Sequence, residues 1–248
     1  MGVAGNSLVA QPFGGRTMDA PNDVVKVGDL LVRPYETKDR AAVRYICYVT
    51  GYMGEPIDWQ WKDAKSLADT FTGYYTDQEP ESALVVENKD GEVVGYLLGC
   101  VDSRRAPTPE KVIIRHVFTR GIAFMPGTAG FVWRSAWDIV TDVMTGKIRP
   151  SDRKLEFDPR WPAHLHIDLL QEAIGRGAGS ALMRIWLDRL RYLKVPGCHL
   201  GTLAENHRAI AFFEAMGFRK EGNNPPVPGE RTRDGKRLHS QLMVQELN

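Results

Sequence analysis

Two stretches of this 248-residue chain hold residue types whose spacing could do chemistry. In His164-Leu165-His166-Ile167-Asp168-Leu169, polar and apolar residues alternate. On a β-strand that alternation sends His164, His166 and Asp168 to one face and Leu165, Ile167 and Leu169 to the other. A polar face on a central strand implies a cleft. An imidazole or a carboxylate in a cleft is the kind of group that takes a proton from an incoming nucleophile. Downstream, Gly175-Arg176-Gly177-Ala178-Gly179-Ser180 is a glycine-dense turn that opens a helix. Backbone N–H groups converge at such a turn, the missing side chains allow close approach, and the helix dipole favours negative charge. That chemistry suits a pyrophosphate.

Each stretch has a rival reading. The glycines do not fit the dinucleotide fingerprint, because Ser180 sits where its third glycine belongs, and no GK[ST] ending marks a nucleoside-triphosphate loop. A purely structural strand-to-helix turn would look similar. His164-x-His166-x-Asp168 is also the start of a zinc-hydrolase motif, in which closely spaced His and Asp bind metal. That motif continues with His, whereas this chain has Leu169.

The elements that must position these residues come from periodicity and breakers. Leu30 to Val32 and residues 163–170, 198–203 and 238–247 read as strands, and residues 38–49, 59–75, 109–119, 131–144, 180–193 and 206–216 as helices. Runs 82–87 and 92–101 flank Asn88-Lys89-Asp90-Gly91, whose Asp-Gly supplies the positive φ of a tight hairpin. The order predicts an α/β (α+β) domain over 28–248, preceded by a flexible tail over 1–27. Residues 103–162 form a long, less regular segment in which Trp133, Trp137, Ile139, Val140 and Val143 suggest a packed helical layer. So long a segment in a compact domain either walls a binding site or serves as an enlarged core or homodimer surface.

Composition narrows the classes. Thirty-two basic against 31 acidic residues leave a charge of +1, which argues against a duplex nucleic-acid binder held by phosphate contacts. No apolar run approaches the ~20 residues that span a bilayer. Three widely spaced cysteines without CxxC read as reduced thiols, hence a cytoplasmic protein with no membrane or nucleic-acid partner.

The segment Asn206-His207-Arg208-Ala209-Ile210-Ala211-Phe212-Phe213-Glu214-Ala215-Met216-Gly217-Phe218, together with the turn at 169–182, resembles the GCN5-related N-acetyltransferases. The resemblance covers roughly residues 30–247 and is strongest over 164–219. It implies a mixed sheet splayed open like a V, with the helical insertion between the third and fourth strands. It implies acetyl-CoA as cosubstrate, with the pantetheine arm along Leu169, Leu170 and Gln171. The pyrophosphate would rest on the amides of Ile174, Gly175, Arg176, Gly177, Ala178, Gly179 and Ser180, and Asn206 and Phe213 would stand near the cofactor arm. An amine, small or protein-borne, would attack the thioester directly. Asp168, His166 and Glu205 are the candidate general bases, and no metal is expected.

Three departures from the family pattern stand out. Gln171 replaces a frequent Pro, Ile174 a Gln or Arg, and Phe213 a Tyr that protonates the leaving thiolate. Phenylalanine has no proton to give. Ile174 and Phe213 keep open a second reading, a non-catalytic acyl-CoA-binding module. The zinc hydrolase using His164, His166 and Asp168 is the third.

Overall fold

The computed structural model describes residues 24–148 and 157–247. The strands are β1 (Val25–Val27), β2 (Leu30–Pro34), β3 (Ala83–Glu87), β4 (Val93–Cys100), β5 (Ala163–Leu169), β6 (Gly197–Leu203), β7 (Arg219–Glu221), β8 (Pro226–Arg231) and β9 (Arg237–Glu246). The helices are α1 (Arg40–Thr50), α2 (Ala64–Phe71), α3 (Gly73–Asp77), α4 (Pro109–Arg120), α5 (Ala129–Met144), α6 (Ala178–Tyr192) and α7 (His207–Ala215). They build a mixed α+β fold on one sheet in the order β1-β2-β3-β4-β5-β6-β9-β7, with β8 paired to β9.

The sheet is splayed between β5 and β6. These parallel strands pair only at Ala163↔Cys198 and His164↔His199. On its other side β5 stays paired with β4 from Cys100↔His164 to Gly95↔Leu169, and β6 stays paired with β9 along its length. A gap therefore opens beside His166 and Asp168, and from there on the β5 backbone faces it without a strand partner.

Each sheet face has its own core. Leu165 packs with Leu97, Leu182, Met183, Trp186 and Leu190, and Ile167 and Leu169 lie against the same cluster. The opposite face meets α1 to α3 through Val43, Ile46, Tyr75, Tyr96 and Leu98. This is the alternation read from the sequence: the apolar face of β5 covers α6 and the polar face looks toward α1 and α3. Helix α6 approaches β4 closely because Gly99 has no side chain; a Cβ there would stand 2.4 Å from the Trp186 ring.

Four expectations need correction. The insertion lies between β4 and β5, the fourth and fifth strands, because Val25–Val27 forms a strand on β2 inside the stretch expected to be tail. Residues 1–23 of that stretch, and 149–156 of the insertion, lie outside the described residues. The helix expected over 59–75 begins only at Ala64. Ahead of it, the N–H groups of Lys62 and Asp63 both donate to Thr128 Oγ1 at 3.1 Å, which commits them to the insertion instead of a helical turn. Finally, Trp133, Trp137, Ile139, Val140 and Val143 are not packed: all five are exposed, Trp137 by 69%. Strands β7 and β8 escaped the sequence reading, the first being the charged Arg219-Lys220-Glu221 and the second interrupted by Pro228.

Gly99→Ala should destabilise the fold by about 1–3 kcal/mol, since the buried Trp186 ring cannot yield without repacking the core. Chemical denaturation measures this, and an unchanged midpoint would show that α6 tolerates a wider spacing.

Candidate active site

The wall of the gap is built by β5. His164, His166 and Asp168 each keep some accessible surface, as cleft-lining residues do, yet are packed round by protein. The antiparallel register places Tyr96 of β4 directly opposite Asp168, and its hydroxyl donates to Asp168 Oδ2. Burial pushes the Asp168 carboxyl from the ordinary 3.8 up to about 7, partly offset by the hydroxyls of Tyr96 and Thr50. A carboxyl poised there can exchange a proton near neutrality.

Tyr75 of α3 bridges the two histidines. Its hydroxyl lies 2.7 Å from His164 Nε2 and 2.9 Å from His166 Nε2. The direction of this chain follows from its far end. Ser103 Oγ donates to the Pro162 carbonyl at 2.8 Å, so toward His164 Nδ1, 2.7 Å away, it acts as acceptor. His164 is then the Nδ1–H tautomer, its Nε2 accepts from Tyr75, and the Tyr75 oxygen accepts from His166 Nε2–H. His166 Nδ1 is left as the lone pair of that ring, and among the described residues nothing is hydrogen-bonded to it. Burial, the largest cause in each case, lowers the His166 pKa to about 4 and that of His164 well below its usual range. Both rings are neutral at physiological pH.

The glycine turn sits at the other end of the gap. Gly175 (φ 74) and Gly177 (φ 88) adopt the left-handed backbone that aims successive amides outward. The first helical bond of α6 runs from Ala181 N–H to the Gly177 carbonyl at 3.0 Å. Among the described residues the amides of Gly175, Arg176, Gly177, Ala178, Gly179 and Ser180 have no carbonyl partner, the usual state of a helix N-terminus. The residues before it differ from expectation. Leu170 N–H goes to the Val94 carbonyl at 2.8 Å, and Ile174 N–H to the Gln171 carbonyl at 3.3 Å. The short 3-10 turn at Gln171–Ala173 uses the Ile174 amide, so the open row begins at Gly175. The Arg176 side chain pairs with Asp29 of the β1–β2 turn.

The remaining predicted residues serve visible structural ends. Asn206 caps α7, its side-chain oxygen accepting from Ala209 N–H at 3.2 Å. Phe213 is 6% exposed, its ring centroid 5.3 Å from Phe212 and 6.1 Å from Phe218. It is Phe212 that abuts the glycine turn, 3.3 Å from where a Gly179 Cβ would be. Glu205 accepts from both the N–H and Nδ1 of His239, at 3.1 and 2.8 Å. Burial alone would raise its pKa, but these two bonds hold it below the ordinary value. It is therefore a poorer base than Asp168. The zinc arrangement does not form: the imidazoles turn Nε2 to Tyr75, Asp168 faces Tyr96, and no group of three metal-ligating side chains gathers among the described residues.

From sequence, Tyr75 could line an acceptor pocket but core packing is the preferred reading, and nothing singles out Tyr96, Ser103 or Thr50. Tyr75 and Tyr96 carry no local motif. Only the β4–β5 register, which a hairpin pattern does not supply across the insertion, would have set Tyr96 against Asp168.

With this geometry in view, the chain can be compared with known proteins. The profile of the acetyltransferase (GNAT) family matches residues 145–218, the segment holding β5, the glycine turn and α7 up to Phe218. Over those residues the chain is similar to the GNAT family. Solved structures agree over most of its length. The crystal structure of SsHAT is 25% identical, with a TM-score of 0.59 and coverage of 89% of this chain and 99% of that one. A GNAT superfamily phosphinothricin acetyltransferase from Sinorhizobium meliloti, in complex with AcCoA, shares the fold at 16% identity, a TM-score of 0.54 and 89% coverage of each chain. The yncA structure from Salmonella typhimurium with its cofactor acetyl-CoA does so at 15% identity and a TM-score of 0.53, covering 89% of this chain and 95% of that one.

Two measurements test the site chemistry. Nitrogen-15 spectra at about pH 6 should show both rings neutral, His164 as the Nδ1–H and His166 as the Nε2–H tautomer; a charged His166 would refute the relay. Because the folded Asp168 pKa lies above the unfolded one, the native state binds that proton more tightly, and this group's cost to stability grows as pH rises from 3.8 toward about 7. The melting temperature of Asp168→Asn minus that of the native chain should climb across this window and then level off; a flat difference would mean the carboxyl titrates normally.

Proposed function

We propose that the chain from β1 onward forms one acetyl-CoA-dependent N-acetyltransferase domain that moves the acetyl group directly to a primary amine. The observation that carries this reading is the joining of two features at one gap: an unpaired β5 edge beside Asp168, and an open row of amides from Gly175 to Ser180 at its end. The donor set fits the cosubstrate. Backbone amides match a pyrophosphate, and the β5 edge matches the amide groups of a pantetheine arm as it would match a strand. Acetyl-CoA supplies the acyl group as a thioester.

The chain's own residues do the rest. Asp168, ionised above about pH 7, takes the proton of the incoming amine at its carboxylate, while Tyr96 and Thr50 orient it. His166 presents Nδ1 as the second acceptor on the same face. Glu205 anchors β9 through His239 and stays outside the proton path. Positioning of the two reactants supplies most of the acceleration. Phe213, which has no hydroxyl, leaves the departing thiolate unprotonated by that position. With a thiol pKa near ~8.5 the anion is a tolerable leaving group.

Titration calorimetry with CoA and an assay of free thiol release over an amine panel test the reading together. CoA binding with amine-dependent release is the expected result, and Asp168→Asn should cut turnover by about 10²-fold or more without losing CoA affinity. Binding with no turnover on any amine would favour the non-catalytic module to which Phe213 points. No binding at all would remove both.

A further inference from the structure

Helix α5 turns its charges inward and, beyond its buried first turn at Phe131, its large apolar side chains outward. Its charged residues are Arg134, Asp138 and Asp142. Asp138 and Asp142 are 5% and 1% exposed and meet Arg231 and Arg237 of β8 and β9, at 2.9 and 2.7 Å. Arg134 donates to the Gly229 carbonyl at 2.8 Å. On the opposite stripe stand Trp133, Trp137, Val140 and Met144, exposed by 59, 69, 52 and 81%. Phe124, 79% exposed, extends the stripe against Trp133 with ring centroids 6.5 Å apart, and Val143 flanks it. A helix on the surface of a monomer is built the other way round.

We propose that this face is a homodimer interface in which α5 packs against α5 of a second copy of this chain. Three properties of the face select that occupant. The spacing of four, three and four residues along the stripe is the one by which two helices interlock side chains. Its area is sufficient: large side chains present about 150–250 Å² each, so the exposed fractions of these six approach the ~800 Å² per partner of a stable interface. The stripe itself carries no charge, so a two-fold contact, which brings identical patches together, meets no like-charge repulsion. Charge complementarity to an acidic or basic partner has nothing to act on here. The inward ion pairs hold α5 firmly on the β8–β9 hairpin, which gives the stripe a fixed shape before it docks.

Sedimentation equilibrium on the full chain tests this directly. The native protein should be a dimer in the micromolar range, and Trp137→Lys should weaken association by about 30-fold or more while Trp137→Phe retains it. At dilutions where both are monomeric, the melting curve of Trp137→Lys should match the native one, since the side chain is solvent-facing in the monomer. If that variant fails to fold, the native chain alone decides: amide exchange in residues 129–144 should slow as protein concentration rises. A native chain that stays monomeric up to ~100 µM would overturn the proposal. So would a dimer indifferent to Trp137→Lys. Co-flotation of a monomeric native chain with phosphatidylcholine–phosphatidylglycerol vesicles, lost in Trp137→Lys, would replace the second copy with a membrane surface.

Discussion

The structure turns on the point at which β5 and β6 part. A strand edge inside a sheet must have its N–H and C=O groups met, because stranded backbone polar groups are expensive once water is thinned out. Here the ladder stops after His164↔His199, while β5 remains tied to β4 and β6 to β9. Each half of the sheet is held together by its own pairings, and the two halves part beyond His164. The facing edge of β5 is left for water or a ligand to satisfy.

The two faces of β5 answer different demands at that fork. Leu165 and its neighbours bury apolar area against α6, which anchors the strand. The polar face cannot be anchored in that way, so each of its groups is tied by a hydroxyl: His164 and His166 by Tyr75, Asp168 by Tyr96. A buried polar network of this kind is stable only when its members are satisfied, and satisfaction also fixes where each proton sits. The lone pair on His166 Nδ1 and the raised carboxyl of Asp168 are what remains available after that accounting.

Much of this was legible in the residues themselves. The period-two alternation from His164 to Leu169 assigned both faces of β5, Asp90-Gly91 located the β3–β4 turn, and the glycines at 175 and 177 located the turn that opens α6, because each is a local rule of backbone geometry. What escaped was non-local. Tyr96 meets Asp168 across 72 positions of chain and Tyr75 meets His166 across 91. The apolar residues of α5 were read as core because hydrophobic side chains usually are, while the acids that actually face inward find their arginines more than 90 positions later. Ile174 shows the same limit at short range. Which amide a turn consumes depends on whether it closes as a 3-10 helix, and residue types alone do not settle that.

The cysteines carry a practical corollary. Cys47, Cys100 and Cys198 are all unpaired and buried, and desolvation drives each thiol up to about 12. Since the thiolate is the reactive species, the native fold is close to silent toward disulfide reagents and alkylators. A chromogenic disulfide that counts sulfhydryls as they appear in solution will find almost none contributed by the polypeptide, and the sudden arrival of three per chain marks global unfolding.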